Sequence, residues 1–322
     1  MPGEKAGRVR PTGGGAVLRQ ALQAVSTSPR AQALVERAPL TRDVVHRFIA
    51  GETMDEALDV TEGIVGSGRL VSLDVLGEDV RDAEQAGRTV AYYEALLARL
   101  AEAKLADRAE VSLKLTAVGQ ALDPDTALEN ARRVCAAARA AGTSVTIDME
   151  DHTTVESTLD SVRELRRDFP DTGLVVQAYL RRAEEFSAEM AYAGSRVRLC
   201  KGAYGAPESV AFTRRDDVDK SYVRCLKALM AGQGYPMVAT HDPRLIDIAG
   251  ALAVLNERGT DTFEYQMLYG IRPQEQKRIA ETGARMRVYV AYGTEWYGYF
   301  LRRLAERPAN LAFFVRSVVT RD

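Results

Sequence analysis

Apolar residues along the chain change their period near residue 68. Before that point they recur every three to four positions. Leu18, Leu22 and Val25 form one stripe, and Val44, Val45, Phe48 and Ile49 form another, each predicting a helix. Thr41 and Asp43 give the second helix an N-cap type residue and early negative charge. Met54 to Val65 predicts a further helix, ending in the glycines of GSG. Residues 1–15, rich in glycine, proline and charge, have nothing to bury and predict a disordered tail, so the helical segment spans 16–67.

Past residue 68, short runs of β-forming residues alternate with longer helical patterns. The runs are LVSLDVLG (70–77), EVSLKLTA (110–117), SVTIDME (144–150), GLVVQAYL (173–180), RVRLCKG (196–202), YPMVATHD (235–242), TFEYQMLYG (262–270) and RVYVAYG (287–293). Their starts lie 23 to 40 residues apart, which is room for a strand, a loop, a helix and a second loop. Val90 to Lys104 and Ala127 to Ala141 read as two of the intervening helices. Eight such units predict an α/β fold: a closed (β/α)8 TIM-type barrel over 68–322, preceded by the N-terminal helices. No GxGxxG follows a strand, so a doubly wound dinucleotide-binding domain has no support.

Composition narrows the function classes. The 322 residues are 46% hydrophobic and 27% charged, and 43 Lys+Arg against 45 Asp+Glu leave a net charge of −2. No global basic field exists to hold nucleic acid. No apolar run approaches the ~18 residues of a membrane span, and MPGEKAGRVRPTGGG lacks the apolar core of a secretory signal. Cys135, Cys200 and Cys225 are odd in number and lack CxxC spacing. That argues against a disulfide framework or a zinc site and for a reducing cytosol, hence a cytoplasmic protein. His46, His152 and His241 show no HxxxH or HxH spacing, so no metal is expected, and no GxSxG elbow supports serine hydrolysis.

In such a barrel, functional groups gather at the C-terminal ends of the strands. Lys114, Asp148, Gln177, Arg198, Lys201, Thr240, His241 and Tyr289 fall there. Buried charges need partners, so these residues form either a shared site or a set of structural ion pairs, Lys114 with Asp148 for instance. Lys114, Arg198, Lys201, Arg302 and Arg303 would make the mouth locally positive, which suits a carboxylate or a phosphate. The segment from Thr294 to Ala305 (TEWYGYFLRRLA) reads as the final barrel helix. Tyr299 precedes Arg302 and Arg303 by three and four residues, and Glu306 follows them by four and three. Glu306 can hold a guanidinium while the other fork grips a substrate carboxylate. The alternative is a solvated Arg–Glu pair on a surface helix.

LKLTA, TIDME, VVQAYL, VRLCKGAY, ATHD, FEYQMLYGIR, VYVAYG and YFLRRLAERPAN occur in the order found in proline dehydrogenases. The chain resembles that family over roughly residues 70 to 315. The resemblance implies a flavin enzyme with a distorted (β/α)8 barrel, in the short monofunctional bacterial form without an aldehyde dehydrogenase half. It implies oxidation of L-proline to Δ1-pyrroline-5-carboxylate, with hydride passing to FAD and electrons onward to a quinone-type acceptor. It places Arg302 and Arg303 on the proline carboxylate, with Lys114 nearby and Glu306 supporting the arginines. Tyr289, Tyr299 and Tyr204 would line the substrate ring, and Asp148 and Leu268 would complete the pocket. Gln177, Arg198, Lys201, Ala203, Thr240 and His241 match positions that hold FAD, with Arg198 beside the flavin N5. No residue stands out as the acceptor of the substrate's amine proton. Cys200 and Asp242 depart from the family's usual aliphatic residue and asparagine, and neither is expected to carry chemistry.

Two other functions fit a cationic barrel mouth. Lys114 or Lys201 would serve a Schiff-base aldolase. A non-catalytic barrel would bind an anionic metabolite and signal through a contact surface such as LAFFVRSVV (311–319). That segment also suits peripheral contact with a membrane quinone pool at its inner face, or simple packing on the barrel.

Overall fold

Each of the eight β-forming runs becomes a strand: β1 Leu70–Val75, β2 Ala109–Leu113, β3 Val145–Ile147, β4 Gly173–Gln177, β5 Arg196–Cys200, β6 Tyr235–Ala239, β7 Glu264–Leu268 and β8 Met286–Tyr292. All but the last are shorter than the run that predicts them. The leftover residues at their C-terminal ends turn into loops, as where Thr116–Val118 forms a short 3-10 turn after β2. The computed structural model describes residues 45–77 and 80–306, with side chains to 303. The expected tail and first helix, Thr41, Asp43, the side chain of Glu306 and the apolar run 311–319 lie outside the described residues.

Helices α1 Met54–Gly66, α2 Ala83–Glu102, α3 Pro124–Ala141, α4 Val155–Asp168, α5 Ala183–Glu189, α6 Arg215–Ala231, α7 Pro243–Leu255, α8 Pro273–Glu281 and α9 Trp296–Glu306 alternate with the strands. Helix α2 begins seven residues before the apolar stripe at Val90, because a cap rather than the stripe sets its start. The Asp82 carboxylate accepts from the Gln85 N–H at 2.8 Å. The Thr53 and Glu56 side chains form a reciprocal capping box on α1. Among the described residues, no helix is long and apolar enough to cross a membrane.

The strands are parallel and pair in sequence order, and β1 closes onto β8 with Ser72 opposite Tyr289. Two compact units divide the chain: residues 47–294, which hold all eight strands, and a second to which residues 45, 46 and 295–306 belong. In the first unit the period of two separates two interiors. Val71, Leu73, Val111, Leu113, Ile147, Leu174, Val197, Leu199, Val288 and Val290 join the apolar core with Leu96, Leu97 and Leu100 of α2, Val134 of α3 and Leu159 of α4. The alternate residues point into the barrel, where branched aliphatics are usual. Here they are Ser72, Asp74, Glu110, Ser112, Thr146, Arg198, Glu264, Gln266 and Arg287, all buried.

Candidate active site

The barrel interior is built in polar layers. Near the N-terminal ends of the strands, Glu110 lies 2.6 Å from Arg196, and Glu264 grips Arg287 through both oxygens, at 2.6 and 3.1 Å. Arg287 also donates to the Val71 carbonyl at 2.8 Å, tying β8 to β1 across the closure. Burial alone would push the Glu110 carboxyl up. Arg287, Arg196 and Arg198 outweigh it and hold the group down at about 2.

Arg198 sits two residues along β5 from Arg196, one layer higher on the same strand face. Its Nε donates to Gln266 Oε1 at 2.7 Å. One terminal nitrogen donates to Ser112 Oγ at 2.7 Å and Asp148 Oδ1 at 2.8 Å. The other donates to Ser72 Oγ at 3.0 Å and Glu110 Oε1 at 3.3 Å. A guanidinium has five N–H groups, so this one is engaged by protein at every donor. Its carbon lies 5.2 Å from the centroid of the Tyr289 ring.

Above Arg198, the Tyr289 hydroxyl donates to Asp148 Oδ2 at 2.7 Å. Burial, then the Asp148 charge, pushes that hydroxyl well above its usual range, so it stays a donor. Lys114 pairs with Asp74 Oδ1 at 2.5 Å, and both are buried. Lys114 with Asp148, the pair given as an example of a structural ion pair, is therefore not the one that forms. In the β1–β2 register Asp74 lies opposite Ser112, so its carboxylate meets the lysine first, while Asp148 is occupied by Arg198 and Tyr289. Burial raises the Asp74 carboxyl, Lys114 opposes that, and Asp148 adds to it.

Around the rim lie the other residues expected to hold the cofactor. Gln177, at the end of β4, donates to the Met149 carbonyl at 2.9 Å, and its buried Oε1 has no partner among the described residues. Lys201 pairs with Asp219 at 2.5 Å and Asp242 at 3.3 Å. Thr240 Oγ1 accepts from the Asp242 N–H at 3.1 Å. The Leu268 N–H donates to His241 Nε2 at 2.9 Å, which leaves Nδ1 as the protonated nitrogen. Ala203 is exposed and Tyr204 half-buried on the loop that follows β5. Gly202 on that loop has φ +92°, and a Cβ there would meet the Tyr179 ring at 2.3 Å. Helix α9, in the second unit, carries Tyr299, Arg302 and Arg303. The Arg303 guanidinium carbon lies 5.0 Å from the Tyr299 ring centroid, as the spacing of four predicts.

These residues fit a flavin nucleotide. Gln177 offers a buried acceptor with no partner among the described residues, Lys201 and the adjacent loop offer cation and backbone for phosphate, and Arg198 offers a fixed positive charge beneath a ring. Asp74, Ser72, Ser112, Glu110, Glu264, Gln266 and Arg287 are not among the residues the sequence predicts for the site. Asp242, expected to carry no chemistry, caps α7 and holds both Lys201 and Arg244. Those two cations, Arg244 foremost, hold the Asp242 carboxyl down at about 2. A signal was available: charged or amide residues at alternate positions of several strand-like runs.

Residues 57–316 match the family model described as proline dehydrogenase. The chain is 38% identical over 279 residues to proline dehydrogenase 1 of Bacillus subtilis strain 168, covering 87% of this chain and 92% of that protein. It is 36% identical over 307 residues to the proline dehydrogenase of Deinococcus radiodurans, covering 94% and 97%. Its fold is like that of proline utilization A from Bdellovibrio bacteriovorus inactivated by N-propargylglycine, with a TM-score of 0.78 at 24% identity. That likeness covers 95% of this chain but only 38% of the other.

Proposed function

The chain belongs to the flavin-dependent proline dehydrogenase family and is an oxidoreductase acting on the CH–NH group of proline, and from that premise we propose how its side chains divide the work. The flavin is assigned as FAD, held by Gln177, Arg198, Lys201, Ala203, Thr240 and His241. When bound, it supplies the acceptor for the hydride that leaves the ring carbon next to the proline nitrogen. Arg302 and Arg303 bind the proline carboxylate, with Glu306 as their support. The stacking of Arg303 on Tyr299 favours this, because a guanidinium fixed by a ring face keeps its edge for bidentate contact. Tyr289, Tyr299, Tyr204 and Leu268 wall the substrate ring and exclude water from it.

One observation carries the reading: the chain of hydrogen bonds from Tyr289 through Asp148 to Arg198, at 2.7 and 2.8 Å. It joins a residue assigned to the substrate with one assigned to the cofactor through a single carboxylate. Lys114, in an ion pair with Asp74 at 2.5 Å, is assigned a place near the carboxylate. A Schiff-base lysine must shed its proton to attack, and a buried ion pair at 2.5 Å opposes that, so the aldolase reading is disfavoured. Lys201, between two carboxylates, is no better suited. The substrate amine passes its proton to Asp148 or to solvent. Electrons leave to a quinone-type acceptor from a cytoplasmic protein that touches the inner membrane face, a role the apolar run 311–319 favours.

The test is a proline titration of the purified, yellow protein without oxygen. Its absorbance should bleach, and the nucleotide released on denaturation should be FAD. Arg302→Ala and Arg303→Ala should keep the flavin yet lose roughly 2–5 kcal/mol in kcat/KM for proline, as truncating one partner of a buried charge pair does. Unchanged kinetics in both variants would refute the carboxylate assignment.

A further inference from the structure

Two carboxylates hold Arg198, and they reach it from opposite ends of the barrel. Asp148 does so from the loop after β3, at the mouth. Glu110 does so from the second position of β2, two residues below Ser112 and on the same strand face. Glu110 is 2% exposed, so no ligand entering at the mouth can touch it. The carboxylate is itself fixed: Thr146 donates to Oε1 at 3.1 Å, and Arg196 approaches Oε2 at 2.6 Å.

We propose that Glu110 is a positioning residue for the proline oxidation, pinning the Arg198 guanidinium from the closed end of the barrel and setting how much positive charge faces the flavin. This rests on the reading of Arg198 as the flavin-facing cation. Arg196, Arg198 and Arg287 bring three positive charges to the inner layers, and Glu110 and Glu264 bring two negative ones. Asp148 at the mouth balances the third, so neutralising Glu110 would leave one positive charge in excess beneath the mouth. In a site shielded from water such a charge favours an electron-rich ring over a neutral one. The same ion pair fixes the plane of the guanidinium, because an arginine stem has several rotatable bonds and Glu110 anchors the edge farthest from the mouth.

Charge and position are separable by substitution. Glu110→Gln removes the negative charge at nearly constant shape, and the flavin midpoint potential should rise. Each tenfold shift in the oxidised-to-reduced ratio reads as about 30 mV for a two-electron couple. Glu110→Asp keeps the charge but withdraws the carboxylate by one methylene. The potential should stay near that of the parent while kcat falls about ten- to a hundredfold with little change in KM. Should both variants fail to fold, Thr146→Val leaves every charge in place and removes only the hydroxyl that donates to Glu110 Oε1 beside Arg198. It should lower kcat a fewfold (~2–5) at unchanged flavin content. Parental potential and kcat in the Glu110 variants, with only thermal stability reduced, would make the cluster a structural plug and overturn the proposal. So would a parental kcat in Thr146→Val. An Arg198→Gln variant with unchanged potential would instead sink the underlying reading of Arg198, which keeps the two failures apart.

Discussion

Asp148 has two carboxylate oxygens and three protein donors. Ser112 and Arg198 share Oδ1, each at 2.8 Å, and Tyr289 holds Oδ2 at 2.7 Å. Tyr289 is therefore the only donor described on Oδ2, and its loss would leave that oxygen to water. Because the Asp148 side chain is 13% exposed, water can replace the hydroxyl at modest cost. Tyr289→Phe should lower unfolding stability by about 1 kcal/mol in a urea titration, the usual net value of one hydrogen bond. It should retain flavin, because Arg198 keeps its partners, and raise KM for proline, because the substrate wall has lost its orienting hydroxyl. Flavin loss on purification would move Tyr289 from the substrate side of the site to the cofactor side.

At the scale of elements, the loop after β5 depends on the loop after β4. The Tyr179 N–H donates to the Lys201 carbonyl at 2.9 Å, and its ring fills the space where a Cβ on residue 202 would stand. Gly202 also holds φ +92°, which side chains resist. Gly202→Ala should displace the Lys201–Ala203 backbone and weaken flavin retention by about 1–3 kcal/mol, read by titrating flavin into the apoprotein. Gly205→Ala, with no atom within 4 Å of its Cβ position, is the control and should bind as the parent does. If both bind alike, the loop does not hold the cofactor. The eight strands were legible because each run carries its own β-forming residues and a glycine- or helix-bounded end. The Tyr299–Arg303 contact was legible for the same reason, since one helix contains both residues. Glu110, Arg196, Glu264 and Arg287 were not. Each lies at the start of a strand, where a charged residue alone reads as a solvated end, and only the register of four strands brings them to one height. Asp74 lay hidden near the end of LVSLDVLG, its partner Lys114 lying just past the end of the next strand.

For the whole molecule, that buried layer links folding to acidity. Glu110 ordinarily titrates near 4.5 and is held near 2 in the folded barrel by Arg287, Arg196 and Arg198, against the opposing effect of burial. A carboxyl depressed on folding stabilises the folded state fully above its unfolded value and gives that stability up as pH falls toward its folded value. The barrel should thus lose stability between about pH 4.5 and 2, the window set by this carboxylate. Asp242, its side chain only 10% exposed, is depressed to a similar range by Arg244 and Lys201 and adds to the loss over the same window. Once Glu110 is protonated, Arg196, Arg198 and Arg287 face one another with one carboxylate fewer among them. Arg287 also bridges β8 to β1 through Val71, so repulsion acts on the seam that closes the sheet. Urea midpoints measured across this range should fall steeply for the parent. For Glu110→Gln they should start lower at neutral pH and fall more gently, because its neutral amide has no proton to take up. Parallel slopes in the two proteins would mean that acid opens the barrel through carboxyls other than this one.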